Sequence, residues 1–185
     1  MTFPEFLDLA RSHYGPGLWL LLAIVAVELV NLISLRRLNG LGIVPRESAG
    51  LPGIVCAPFL HTGVGHFLAN LVPLFILAYA LGQVAPDRFW WITGALVLGT
   101  GVLVWALARR VNHIGASGLV YGLLGYLTLR GFLSGEPWQV AGSIVLLLMY
   151  SGVLWGVLPT TARTSWESHL FGLATGLALA WWKVV

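Results

Sequence analysis

Ser117 lies in the run Gly115-Ala116-Ser117-Gly118-Leu119-Val120-Tyr121-Gly122-Leu123-Leu124-Gly125, at the point where a loop is expected to become an apolar helix. Small flanking residues leave the hydroxyl exposed, and the first N–H groups of a helix have no intrahelical partner. Those are the needs of a nucleophile. A serine hydroxyl is weak without a base, and a candidate base stands far along the chain in Ser168-His169-Leu170-Phe171-Gly172-Leu173-Ala174-Thr175-Gly176. A third group of polar residues, His61-Thr62-Gly63-Val64-Gly65-His66-Phe67-Leu68-Ala69-Asn70, opens another apolar run. On a helix His66 and Asn70 fall one turn apart on the same face, and both can donate hydrogen bonds.

The elements that must position these groups are membrane helices. Of 185 residues 58% are hydrophobic and only 9% charged, and the mean hydropathy is +0.86, far from a soluble globular composition. The net charge of +3 comes from scattered Arg rather than a basic cluster, which argues against nucleic acid as a partner. The lone Cys56 excludes an intramolecular disulfide. Glu5, Asp8 and Arg11 precede a first apolar run that is too long and wrongly flanked for a cleaved leader, so it is expected as a retained span. One domain covering 1–185 is expected.

Six apolar segments are long enough, or nearly so, to cross a bilayer as helices. They are Gly17–Leu35, Gly65 to about Leu81, Phe89–Ala108, Ser117 to about Leu133, Trp138–Leu158 and His169 to about Trp182. Glu28 in the first span is expected to be structural, hydrogen-bonded to a neighbouring helix. Residues 38–60 hold too many Gly and Pro for one helix, yet are apolar, and should lie partly in the membrane with their backbone groups satisfied by protein. Pro73 is a candidate kink in the second span; Trp90 and Trp91 are interfacial anchors of the third. His113 reads as an interfacial loop residue. Gly118, Gly122 and Gly125 bare one face of the fourth span, and His169, Gly172 and Gly176 share a stripe on the sixth that can press against it. Spans two, four and six each begin at their polar residue, so His66, Asn70, Ser117 and His169 fall near one leaflet.

Taken in order, His61-x-x-x-x-His66-x-x-x-Asn70, Gly115-Ala116-Ser117-Gly118 with Tyr121, and Ser168-His169-x-x-Gly172-x-x-x-Gly176 resemble the motifs of the rhomboid family of intramembrane serine proteases. The resemblance implies an all-α, six-transmembrane-helix bundle with a partly membrane-embedded first loop. It implies a catalytic Ser117/His169 dyad without a third acid, and an oxyanion site of His66, Asn70 and the Ser117 N–H. Tyr121 would pack against His169, with His61, Gly115, Gly118, Gly172 and Gly176 in support. No cofactor and no metal are implied; the partners are a transmembrane protein substrate and the lipid bilayer, and the setting is a multi-pass protein of a bacterial inner membrane. Three features depart from the family pattern. The Trp-Arg pair of the first loop is missing, Pro86-Asp87 stands where an acid usually follows the second span, and Ser168 stands where Ala is common.

Other functions fit the sequence less well. A catalytically dead relative acting as a chaperone is disfavoured because both Ser117 and His169 are present. A metal site from His61, His66, His113 and His169 lacks a His-Glu-x-x-His pattern, and a transporter lacks a visible internal repeat. The resemblance puts the amino terminus in the cytoplasm. Charge counting opposes it, with Arg11, Arg88, Arg130 and Lys183 inside against Arg36, Arg37, Arg46, Arg109, Arg110 and Arg163 outside.

Overall fold

The computed structural model describes residues 4–5, 15–159 and 165–182. Arg11, Arg163 and Lys183, which enter the charge count, lie outside them, as does most of the connector between the fifth and sixth spans. The described chain is helical, with one isolated antiparallel bridge between Ile43 and His113.

Six long helices follow the apolar runs. They are α1 (Gly15–Ile33), α2 (Val64–Val84), α3 (Phe89–Leu107), α4 (Ser117–Ser134), α5 (Pro137–Leu154) and α6 (Trp166–Trp181). Among the described residues, four segments are long and apolar enough to cross a membrane: α1, α2, Pro86–Leu107 and Pro137–Val157. The other two differ: α6 is only sixteen residues long, and α4 lies inside the bundle. Twelve of the eighteen residues of α4 are buried. A helix wrapped by others does not need the hydropathy of one that faces lipid, which is why it carries Tyr121, Tyr126 and Thr128 in its buried face. The helix α2 runs unbroken through Pro73, and α6 begins three residues before the expected His169, placing that histidine inside its first turn rather than at its end.

Glycine spacing fixes the closest packing. An added Cβ on Gly172 would sit 2.1 Å from the Gly118 carbonyl oxygen, and one on Gly176 would sit 2.0 Å from the Gly122 carbonyl oxygen. No other side chain fits there, so α4 and α6 meet backbone to backbone. Leu74, Leu77, Leu81, Phe89, Ile92, Leu96, Leu123 and Leu124 fill the centre with no exposed surface to speak of.

The stretch between α1 and α2 is no open loop. It folds into successive turns at Arg37–Leu41, Ser48–Gly50, Gly53–Cys56 and Ala57–Phe59. The protein supplies the partners for its backbone: Ile43 and His113 exchange both N–H···O bonds (3.0 and 2.9 Å), and the Gly115 N–H donates to the Ala57 carbonyl at 2.9 Å. Side chains close the rest, with Asn112 Nδ2 donating to the Asn39 carbonyl and Trp105 Nε1 to the Glu47 carbonyl. An apolar segment at membrane depth can persist on those terms. His113 is buried within this network, with Nε2 against the Arg109 carbonyl at 3.0 Å.

Candidate active site

Ser117 is the first residue of α4, so its N–H belongs to the group that a helix leaves unpaired. Gly115, two residues before it, has φ +123°, a conformation that disfavours any side chain. A Cβ there would come within 2.9 Å of His66 Nε2 and 3.8 Å of Ser117 Oγ. Glycine thus keeps open the space between the hydroxyl and the imidazole of His66.

A cavity of about 390 Å³ opens on this space, and Ser117, His169, His66, Asn70, Tyr121 and Asn112 all line it. Four elements contribute, and the polar residues expected at the starts of three spans do come together.

The partners of each ring indicate its proton. His169 Nδ1 lies 2.8 Å from the Gly156 carbonyl, which can only accept, so Nδ1 carries the hydrogen and Nε2 keeps its lone pair. The ring stacks on Tyr121 with centroids 4.3 Å apart and planes 7° from parallel. Tyr121 in turn donates its hydroxyl to the Val153 carbonyl. For His66 the assignment reverses. The Thr62 N–H points at Nδ1 (3.4 Å) and the Thr62 hydroxyl lies 3.1 Å from the same atom, so Nε2 holds the hydrogen and faces the gap beside Ser117. Asn70 spends one amide hydrogen on the His66 carbonyl at 2.8 Å, and its other remains available to the cavity it lines.

His61 does not reach the cavity. It is fully buried behind it, with Nε2 receiving the Ala116 N–H at 3.4 Å and its ring edge-on to His66 at 5.2 Å. Burial, reinforced by His66, pulls its imidazole down to about 4 against the attraction of Glu28, so it is neutral and able to accept at pH 7. Gly118, Gly172 and Gly176 also stay out of the cavity and act through the α4–α6 contact.

Three contributors were not legible as site residues. Gly156 is required by shape, since a Cβ on it would fall 2.2 Å from the Tyr121 hydroxyl and 3.1 Å from His169 Nδ1. Glu28 was expected to bond a neighbouring helix; it bonds Arg36 instead (2.9 Å), and Arg36 also donates to the His61 carbonyl at 2.7 Å. Glu28 Oε2 lies 3.4 Å from His61 Nδ1, so this buried acid orients the loop that lacks the Trp-Arg pair. Glu167, buried in the first turn of α6, is paired with the Arg109 guanidinium and fixes where His169 starts. Only the glycine beside Trp155 and the two acids themselves were visible in sequence; their partners were not. Among the described residues, no three His, Cys, Asp or Glu side chains converge in a way that could hold a metal.

A sequence model of the rhomboid domain matches residues 49–184, a span that holds every one of these cavity residues. The chain belongs to the rhomboid family. It is 29% identical to rhomboid protease GlpG of Yersinia enterocolitica over 209 residues, covering 96% of this chain and 66% of that one. An uncharacterized protein of Mycobacterium tuberculosis is 33% identical over 164 residues, 84% of this chain and 68% of its own length. RHOMBOID-like protein 4 of Arabidopsis thaliana is 28% identical over 156 residues, 80% of this chain and 38% of that one. A rhomboid domain with four membrane-length helices is an integral membrane protein, and membership of this family supports intramembrane protease activity.

Proposed function

We propose that this rhomboid is a serine endopeptidase that cleaves transmembrane segments through a Ser117/His169 dyad and an acyl-enzyme, within a six-crossing domain of a bacterial inner membrane. One observation carries the proposal. His169 donates Nδ1–H to the Gly156 carbonyl, which leaves Nε2 basic in the cavity that Ser117 lines.

His169 Nε2 takes the Ser117 proton as Oγ attacks a peptide carbonyl, then returns it to the leaving amine. A backbone carbonyl and a stacked tyrosine here hold the ring in the tautomer that an aspartate selects in soluble triads. The negative charge on the tetrahedral oxygen is met by His66 Nε2–H, the free Asn70 amide hydrogen and the Ser117 N–H. Each preorganised donor of this kind is worth about 3 kcal/mol in a site screened from water. Water for deacylation has room in the 390 Å³ cavity. The substrate is a membrane helix that enters from the side and unwinds locally to present its bond. The helix α5 and the chain that follows it, of which residues 160–164 lie outside the described residues, act as gate and cap.

A serine-reactive phosphonate tests this directly. Wild-type protein in detergent is labelled, Ser117→Ala is not, and His169→Ala reacts at least a hundredfold more slowly. Labelling that survives in Ser117→Ala overturns the assignment of the nucleophile.

A further inference from the structure

The buried acid of the first span faces a second group besides Arg36. Glu28 and His61 are both buried, and Glu28 Oε2 stands 3.4 Å from His61 Nδ1. Neither atom has another polar partner among the described residues. A carboxylate withdrawn this far from water is costly unless each oxygen meets a donor. Arg36 Nη1 serves Oε1 at 2.9 Å, which leaves His61 Nδ1 to serve Oε2.

The other side of the imidazole makes the same demand. His61 Nε2 faces the Ala116 N–H at 3.4 Å. A backbone N–H can only donate and an ionised carboxylate can only accept. With its hydrogen on Nδ1 the ring satisfies both neighbours. With it on Nε2, two hydrogens oppose each other at Ala116 and two lone pairs oppose each other at Glu28. His66 and Phe67 meet the ring edge to face, with centroids 5.2 and 5.4 Å away, and confine it.

The Ala116 amide matters because of its place in the chain. The Gly115 N–H donates to the Ala57 carbonyl at 2.9 Å and the Ala116 N–H to His61, and the next amide is that of Ser117, the first residue of α4. Two successive N–H groups tied to the first loop thus set the direction of the third.

We propose that Glu28 is a positioning residue for the serine site: its carboxylate holds His61 as the Nδ1–H tautomer, and His61 Nε2 then holds the Ala116 amide so that the Ser117 N–H is aimed at the developing oxyanion. Its catalytic consequence rests on the Ser117/His169 reading; its geometry rests only on Glu28, His61 and Ala116. A neutral amide cannot take this place. One that accepts from His61 turns its NH2 onto the Arg36 guanidinium, and one that accepts from Arg36 turns its NH2 onto Nδ1 and drives the ring hydrogen to Nε2.

Isotope-labelled histidine in the full-length protein reports the tautomer by NMR, with the His61 signals identified by their loss in His61→Gln. The wild type is expected to carry the His61 hydrogen on Nδ1, a result that needs no variant to fold, and Glu28→Gln to lose that signature. Turnover of a membrane-helix substrate by Glu28→Gln is expected to fall at least tenfold in kcat with KM within about twofold, because a misaimed oxyanion donor acts on the transition state. Asn39→Ala is the control. Asn39 Nδ2 donates to the His61 carbonyl at 3.1 Å, so its loss loosens the same loop and lowers the unfolding midpoint, while the tautomer and kcat hold. A wild-type His61 with its hydrogen on Nε2, a tautomer unmoved by Glu28→Gln, or a kcat that falls as far in Asn39→Ala as in Glu28→Gln overturns the inference. Phosphonate labelling separates the two failures: an unlabelled wild type that shows the Nδ1–H signature overturns the Ser117/His169 reading, and with it the catalytic role of Glu28.

Discussion

The helix that carries Ser117 has two very different neighbours. Toward α6 it shows glycine to glycine, and the two backbones touch at Gly118–Gly172 and Gly122–Gly176. Toward α5 it shows one glycine, Gly131, closed over by Gln139 and Ser143, and otherwise ordinary side chains, and α5 itself buries only Ser143 and Tyr150 of its eighteen residues. Yet the polar bonds of the stacked Tyr121 and His169 end on the α5 side, at the carbonyls of Val153 and Gly156. His169, the proposed base, is thus held in position by the α4–α6 seam and in rotation from the α5 side. A protease that must let a helix in from the side needs one wall that does not move and one that can.

The contrast breaks most sharply at the seam. Gly172→Val places a methyl-bearing carbon against the Gly118 carbonyl and is expected to cost about 3 kcal/mol or more. Gly152→Leu on α5, where an added carbon meets nothing within 4 Å, is expected to stay within about 0.5 kcal/mol of wild type. Unfolding of both in detergent checks the pair, and equal losses would erase the distinction. Acidification probes how the start of α4 is tied to the first loop. His61 is folded in a neutral state with its imidazole lowered to about 4 from 6.5. The unfolded chain therefore binds the extra proton between those values, so the stability is fully present above 6.5 and is lost as pH falls from 6.5 toward 4. The fall in midpoint from pH 7 to pH 5 should be shallower in His61→Gln.

Smaller effects sharpen the α5 side. Gly156→Ala drives a carbon into the Tyr121 hydroxyl and His169, so turnover of a membrane substrate should drop at least tenfold, or about 1.4 kcal/mol. Its unfolding midpoint should move less than that of Gly172→Val. Tyr121→Phe keeps the stack and loses the bond to Val153, worth about 1 kcal/mol; a modest fall in midpoint with turnover changed severalfold is expected. Ser143→Ala ranks last. Its hydroxyl lies 3.0 Å from the Gln139 carbonyl of its own helix and only 3.4 Å from Leu127 of α4, so its loss should be worth less than about 1 kcal/mol.

Where the sequence was legible, the signal was local. Long apolar runs marked all six helices, and the helical period placed His66 over Asn70 and Gly172 over Gly176. Residues 38–60 were the poorest guide, because their turns are held by partners across the chain such as His113, Gly115 and Asn112. The fourth helix was marked by its small residues as well, and the polar side chains it carries became intelligible only with its burial.

Hydropathy and periodicity are properties of neighbouring residues, so the chain alone determined the membrane setting, the helix succession and the types of group able to react. Closure of the bundle decided what no spacing encodes: which carbonyl fixes the His169 tautomer, and that Glu28 reaches His61. Those depend on distances between atoms brought together from separate helices, and such distances exist only after the helices pack.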